Sequence, residues 1–184
     1  MTMDKRIDEI LERFALATAV VERDIRHRID TSPEDLSPLV FMFRDKDGLQ
    51  WPPRVLLDTG LLTPAHKEYV RPWLENLLSQ NEADGYFLIT EAWAVETADP
   101  EQVKDIQELG VNNVPGHRDI ANILCVLRDP KEKEILCIQI SMCDIVRIDE
   151  NTRIGGHWYM ISNNVYEGNP FDRLQSKFLV TQWA

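Results

Sequence analysis

The stretch YFLITEAWAV, residues 86–95, marks the point where the chain changes from helical to strand-like patterning. It is apolar on both sides, which is typical of a strand that is fully buried. Because side chains alternate along a strand, Glu91 lies on the same face as Ile89 and Trp93. We therefore expect a carboxylate within an apolar surface, and this is the one position where charge and hydrophobic pattern conflict.

Further strand-like runs follow this stretch, at residues 119–127, 134–148 and 154–162. The links between them have six and five residues, whereas a parallel crossover needs about a dozen or more. Residues 86–183 are therefore predicted to form an antiparallel meander. Its last strand is predicted at 178–183.

Two helices are predicted in the first half of the chain. In residues 4–29, apolar side chains recur at helical spacing and form one stripe. Residues 64–83 are predicted to form the second helix, with Thr63 as its N-cap and with Pro72 predicting a kink or a break. Its buried stripe is predicted to consist of Tyr69, Trp73, Leu74, Leu77 and Leu78. A hairpin is predicted between the helices at 38–57, and its two prolines either place the return strand at an edge or restrict its pairing to residues 54–57.

Together these elements predict a single α+β domain over residues 1–184. A largely antiparallel sheet of five to seven strands is expected to pack against the two main helices. Helices lead and strands follow, an order that is typical of helices gathered on one face of an antiparallel sheet. A chain of 184 residues is long enough to bury a substantial core within one domain.

The chain is acidic. It has 20 lysines and arginines against 31 aspartates and glutamates, so the formal net charge is −11. Nucleic-acid binding depends on a basic surface that displaces counterions from phosphates, so a DNA or RNA partner is not expected. A basic protein surface is the partner that this charge favours.

Several sequence features predict a cytoplasmic protein. No apolar run reaches the roughly 18 residues that a membrane-spanning helix needs. The start of the chain, MTMDKRIDEI, is charged from Asp4 onwards and lacks the apolar region of a signal peptide. The three cysteines are widely spaced and form no CxxC pair, which argues against a structural zinc site. We expect neither a metal nor a cofactor.

An acidic segment surrounds the strand at 86–95. Residues 82–108 hold eight carboxylates and one lysine, so they carry −7 of the formal charge. Part of this segment falls in a polar stretch, 97–117, which is long enough for a functional loop and is predicted to contain a short helix at about 100–108. Five of its carboxylates are predicted to form a binding surface: Glu96, Asp99, Glu101, Asp105 and Glu108.

Glu91 and two histidines are the candidate catalytic residues. Burial raises the pKa of a carboxyl group, which is how many general acids and bases are prepared. His117 and His157 each follow a glycine within the predicted meander. The alternatives are that Glu91 pairs with an arginine or reaches solvent at an edge, that His117 is a surface residue, and that His157 packs beside a glycine turn. Gly155 and Gly156 also permit the close approach of another backbone.

Three functions are open at this point. The first is a non-catalytic protein-interaction or regulatory module that binds a protein partner or self-associates through a sheet edge such as 178–183. The second is a small enzyme, a hydrolase or an isomerase, that uses Glu91 with His117 or His157 in acid–base catalysis. The third is a structural subunit of a larger assembly. The first is favoured because the sequence has no nucleophile elbow, phosphate-binding loop or dinucleotide fingerprint.

Overall fold

The structure, a computed structural model, describes residues 3–55, 64–97, 99–165 and 178–183. The helices within these ranges are α1 (Met3–Thr31), α2 (Pro64–Gln80) and α3 (Pro100–Leu109), and a short 3-10 helix spans Val111–Asn113. None of these helices is long and apolar enough to cross a membrane. The strands are β1 (Leu39–Arg44), β2 (Gly48–Leu49), β3 (Arg54–Val55), β4 (Gly85–Thr97), β5 (Arg118–Arg128), β6 (Ile135–Asp149), β7 (Thr152–Gly155), β8 (Tyr159–Val165) and β9 (Phe178–Trp183).

The strands form one sheet whose centre is β4, β5 and β6. β1 and β9 share one edge of β4, where β1 pairs with residues 85–89 and β9 with residues 92–97. β8 and β7 share one edge of β6 in the same way, at residues 137–142 and 145–149. Every pairing is antiparallel, so the predicted α+β class is confirmed. Seven of the strands have four residues or more, in agreement with the predicted five to seven, and β2 and β3 have two each.

α1 covers one face of the sheet. The helix extends slightly beyond the predicted range of 4–29, and its apolar stripe is buried. Phe14 stacks on Phe87 with ring centroids 4.7 Å apart and meets Phe43 edge-on at 5.2 Å. Burial of each large apolar side chain contributes about 1.5–3 kcal/mol to the stability of the folded state. The same core includes Ile10, Val21, Ile25, Ile29, Phe41, Ile89 and Ile123.

α2 packs on the opposite face, so the prediction that both helices lie on one face is wrong. Leu74 and Leu78 of α2 contact Val40, Met42 and Leu88 of the sheet. These strand positions alternate with the ones that face α1. A strand that is apolar on both sides, as β4 is, requires cover on both faces, and the second helix provides it.

Three further findings bear on the prediction for α2. The helix ends at Gln80 rather than at residue 83, and it continues through Pro72, so the predicted break is wrong, whereas a kink there stays a prediction. Trp73, which helical spacing places in the buried stripe, is 41% exposed. Trp73 lies about 100° around the helix from Leu74, which makes the contact with the sheet. The predicted N-cap, Thr63, lies outside the described residues.

The shorter elements agree with the sequence in all but one case. Gly48 adopts φ +74° in the hairpin turn, and β3 pairs with β1 at the edge, after the two prolines. α3 and β9 occupy the positions predicted at about 100–108 and at 178–183. The exception is the run at 154–162, which was expected as one strand and is divided into β7 and β8.

Candidate functional site

Glu91 is a buried member of β4, with 9% of its surface exposed. Its Oε1 accepts a hydrogen bond of 2.6 Å from Nη1 of Arg153, whose side chain is completely buried. Arg153 belongs to β7, which lies three strands away in the order β4-β5-β6-β7. The interpretation that Glu91 pairs with an arginine is therefore confirmed.

Arg153 also holds the connecting loop, residues 32–38, which joins α1 to β1. Its Nε donates to the carbonyl oxygen of Ser32 at 3.1 Å, and its Nη2 donates to the carbonyl oxygen of Glu34. Nη1 makes a second contact, of 3.3 Å, with the exposed carboxylate of Asp35. A guanidinium carries five N–H donors in one rigid plane, so a single buried side chain organises two strands and a loop.

Burial and hydrogen bonding act on Glu91 in opposite directions. Burial raises the pKa of the Glu91 carboxyl, whereas the backbone N–H of Leu36 and the Arg153 guanidinium lower it, and burial is the largest effect. The pKa is therefore raised, as the sequence analysis expects of a carboxylate in an apolar surface. The carboxylate nonetheless has an internal partner, so the arrangement is that of a structural ion pair.

His117 is exposed and precedes β5. Its Nδ1 lies 2.9 Å from the carbonyl oxygen of Val114. The next residue, Arg118, pairs with Ala94 of β4, three positions beyond Glu91. His117 is therefore about four residues along the sheet from Glu91, or roughly 13 Å at strand spacing. Direct proton transfer needs a distance of about 3 Å or one bridging water.

His157 is exposed in the link between β7 and β8. The preceding Gly156 donates its N–H to the carbonyl oxygen of Asp144 at 2.7 Å and accepts a hydrogen bond from Arg26 of α1. A Cβ at Gly156 would lie 3.2 Å from that carbonyl oxygen, so the predicted close approach of another backbone is confirmed. The Gly156 bond continues the register in which Gly155 pairs with Ile145, but Tyr159 pairs with Met142, so one extra residue lies between the two pairings and divides the run into β7 and β8.

The five carboxylates predicted as a binding surface have different environments. Glu96 forms an ion pair of 2.8 Å with Arg118. Asp99 is the N-cap of α3, and its side chain accepts a hydrogen bond from the backbone of Glu101 at 2.9 Å. Glu101, Asp105 and Glu108 are exposed on α3, and in the described part of the chain no ion pair engages them. We call these three residues the acidic face of α3.

The opposite side of α3 is fixed to the sheet. Val103 and Ile106 pack with Trp93 and Val95 of β4, and Val111 of the 3-10 helix completes this small core. Residues three and four positions apart share one face of a helix, so the acidic face points away from this packing. The helix therefore presents three carboxylates from an anchored position.

A second polar cluster, which no sequence pattern predicts, lies on the face of the sheet opposite α1. Nη1 of Arg118 contacts both carboxylate oxygens of Asp144, at 2.9 and 3.0 Å, and Nη2 contacts Glu96. The guanidinium carbon lies 5.9 Å from the centre of the Tyr159 ring. The members come from different strands, so strand register is the only signal that could have brought them together. Arg118 thus engages two carboxylates, as Arg153 engages Glu91 and Asp35.

The thiols and the possible metal ligands offer no second chemistry. Burial raises the pKa of Cys143 to about 12 and also raises that of Cys125. Such thiols remain protonated and inert at neutral pH. No three histidine, cysteine or carboxylate side chains within the described residues are grouped to hold a metal ion.

No protein-family model, curated protein or solved structure matches this chain.

Proposed function

We propose that this protein is a non-catalytic interaction module that binds a basic segment of a protein partner through the acidic face of α3. The observation that carries the proposal is the exposure of Glu101, Asp105 and Glu108 on one side of a helix whose other side is anchored. Elsewhere, carboxylates such as Glu96 and Asp129 are already paired with arginines. The acidic face of α3 is thus a place where negative charge remains available.

The spacing of the acidic face suits a short segment with several lysines or arginines. Glu101 and Glu108 are seven residues apart, which corresponds to roughly 10 Å along a helix. An exposed ion pair contributes about 0–1 kcal/mol, so three of them support steering and moderate affinity rather than tight binding. Such binding weakens as salt screens the charges.

The enzyme alternative gains no support from this geometry. The Glu91 carboxylate is bonded to Arg153, and among the described residues no hydrogen bond or ion pair joins it to His117 or His157. Self-association through β9 is the other form of the interaction module. β9 already pairs with β4 along one side, and a net charge of −11 opposes contact between copies. The structural-subunit alternative requires a defined oligomer. A measurement of mass in solution separates that alternative from the proposal.

The test uses two double variants with the same change in charge. Asp105→Lys/Glu108→Lys alters the acidic face, whereas Asp8→Lys/Glu12→Lys alters two exposed carboxylates of α1. Each carboxylate-to-lysine substitution adds two units of charge. Because each variant has two of them, the formal net charge of both variants changes from −11 to −7. Fluorescence anisotropy reports the binding of a labelled peptide of alternating lysine and alanine, at salt from about 20 to about 500 mM.

We expect the α3 variant to bind the peptide about tenfold more weakly. This factor corresponds to the loss of two exposed ion pairs, each with a free energy near the upper end of the usual range. The α1 variant should remain close to the wild type, and wild-type affinity should fall with salt. Equal losses in both variants would mean that only net charge matters. Equal losses, or an affinity that salt leaves unchanged, would refute the proposal.

A further inference from the structure

The hairpin of β6 and β7 carries an apolar surface that the core does not use. Val146 and Ile154 are direct cross-strand partners, and Ile148 lies next to them at the bulge of β6. Their exposed fractions are 53%, 48% and 58%. We call these three residues the hairpin stripe. Single exposed apolar residues are common on proteins, but adjacent ones on a sheet are typical of interaction sites.

The charged residues around the hairpin stripe are unevenly distributed. Arg153 is buried against Glu91, and Arg147 bonds to Asp35 and to a carbonyl of the connecting loop. These two arginines alternate with Val146 and Ile154 along the strands, so they belong to the other face of the hairpin. The bases of the hairpin are therefore turned towards α1 and the connecting loop.

Carboxylates border the stripe instead. Asp149 ends β6 and Glu150 begins the turn to β7, and both are exposed. Asp144 lies two positions before Val146 on the same face, but its carboxylate is already bonded to Arg118, so Asp149 and Glu150 carry the negative charge of this margin. The surface is thus apolar at its centre and negative at its margin. A second copy of the chain would bring like charges together, whereas a segment that combines apolar side chains with lysine or arginine complements both parts.

We propose that the hairpin stripe is a docking site for a protein segment in which apolar and basic residues alternate. The inference goes beyond the proposed function, because the hairpin stripe lies on the face of the sheet opposite to the one that α3 covers. It is a separate site, whose occupant is amphipathic rather than merely basic. The apolar side chains of the segment would cover Val146, Ile148 and Ile154. Its lysines or arginines would reach Asp149 and Glu150 at the margin.

The test compares two labelled peptides by fluorescence anisotropy, one of alternating lysine and leucine and one of alternating lysine and alanine. The Val146→Ser/Ile148→Ser variant removes most of the stripe. Leu16→Ser is the matched control, because Leu16 is 66% exposed on α1 and remote in sequence from the hairpin. Ile148→Lys is a second variant that leaves the Val146–Ile154 pair in place. Circular dichroism checks that each variant is folded.

We expect the leucine peptide to bind the wild type at least about tenfold more tightly than the alanine peptide, since half-exposed valine and isoleucine become covered. The hairpin variants should lose this advantage, and Leu16→Ser should keep it. The inference is overturned if the hairpin variants keep the advantage or if Leu16→Ser loses it equally. It is also overturned if the wild type is a dimer that Val146→Ser/Ile148→Ser converts to a monomer, because a second copy would then be the occupant.

These outcomes are distinct from failure of the proposed function. That proposal concerns binding of the alanine peptide to the acidic face of α3, which the hairpin variants do not alter. If the α3 variant weakens the alanine peptide while the hairpin variants leave the leucine advantage intact, the proposed function stands and the docking site is refuted.

Discussion

Removal of Arg153 should destabilise the protein far more than removal of a surface arginine. In Arg153→Met the Glu91 carboxylate remains buried without its ion-pair partner, and breaking a buried pair from one side costs about 3–5 kcal/mol. The carbonyls of Ser32 and Glu34 lose their hydrogen bonds as well, at about 1 kcal/mol each. Methionine recovers part of this through apolar burial. We expect a net loss of about 4–5 kcal/mol from the free energy of unfolding.

The same pair predicts strong non-additivity. Glu91→Gln alone leaves the Arg153 charge buried with a weaker partner, and we expect it to lower the free energy of unfolding by about 2–3 kcal/mol. In the Arg153→Met background the glutamine should be neutral or stabilising, because the uncompensated carboxylate disappears. The double variant is then at least as stable as Arg153→Met, and the coupling energy is about 2 kcal/mol or more.

Urea unfolding at pH 7, followed by circular dichroism and by tryptophan fluorescence, measures these differences. Arg147→Met is the matched control. Arg147 contacts the same connecting loop, at Pro33 and Asp35, but its side chain is 41% exposed. Arg147→Met should therefore lower the free energy of unfolding by less than about 1 kcal/mol. The reasoning is refuted if Arg153→Met lies within about 1 kcal/mol of the wild type. It is equally refuted if the effects of the Glu91 and Arg153 substitutions simply add.

Three further substitutions test other parts of the fold. Hydrogen bonding to Arg6 holds the pKa of Asp129 below its usual value of about 3.9, so this carboxylate stabilises the protein above that pH and the stabilisation disappears as pH falls through the lowered pKa. Asp129→Asn should therefore be less stable at pH 7, and thermal melts should show the difference narrowing below about pH 4. Gly85→Ala places a Cβ 2.8 Å from the carbonyl oxygen of Val126 and should lower the free energy of unfolding by about 1–3 kcal/mol in urea. Asp99→Ala removes the N-cap of α3 and should speed amide hydrogen exchange in that helix, at a cost of about 1 kcal/mol.

Contrary results are equally specific. A difference between wild type and Asp129→Asn that stays constant with pH would contradict the role of the Arg6 bond. Unchanged stability in Gly85→Ala would mean that the backbone relaxes at no cost. Faster exchange throughout the sheet in Asp99→Ala would show that α3 is coupled to the whole domain rather than locally capped.

Local periodicity was sufficient to predict most elements of this fold. The apolar stripe of α1 repeats over seven turns or so, which leaves little ambiguity about the helix or its buried side. The short links of the meander exclude parallel crossovers, so the antiparallel order of β5 and β6 follows from loop length alone. Alternation also placed Glu91 correctly on the buried face that β4 turns towards α1.

The partner of Glu91 could not be predicted in the same way. In a flat sheet, β7 would lie roughly 14 Å from β4, three strand spacings away. The contact of 2.6 Å exists because the sheet curves and α1 and the connecting loop close over its concave side. Curvature arises from the twist of every strand pair together with the packing of α1. The curvature depends on the whole sheet, so it cannot be predicted from any short stretch of sequence.

The position of α2 illustrates a different limit. Its stripe predicts a helix with one buried side, but it does not specify which face of the sheet receives it. The residues of β4 are apolar on both faces, and this pattern indicates that the second helix covers the face that α1 leaves open. The rule that helices gather on one face does not apply to a sheet whose central strand is apolar on both sides.

The dependence of β4 on a residue far along the chain has a consequence for biosynthesis. Arg153 lies 62 residues after Glu91 and 121 after Ser32. At roughly 5–20 residues per second, a ribosome makes Arg153 about 3–12 s after Glu91. Until then the nascent chain has α1, β1 and β4 but no guanidinium to neutralise the carboxylate or to fasten the connecting loop. The ion pair that neutralises Glu91 and fastens the connecting loop can therefore form only after β7 has emerged, whereas α1, α2, β1 and β5, which surround β4, are all synthesised earlier.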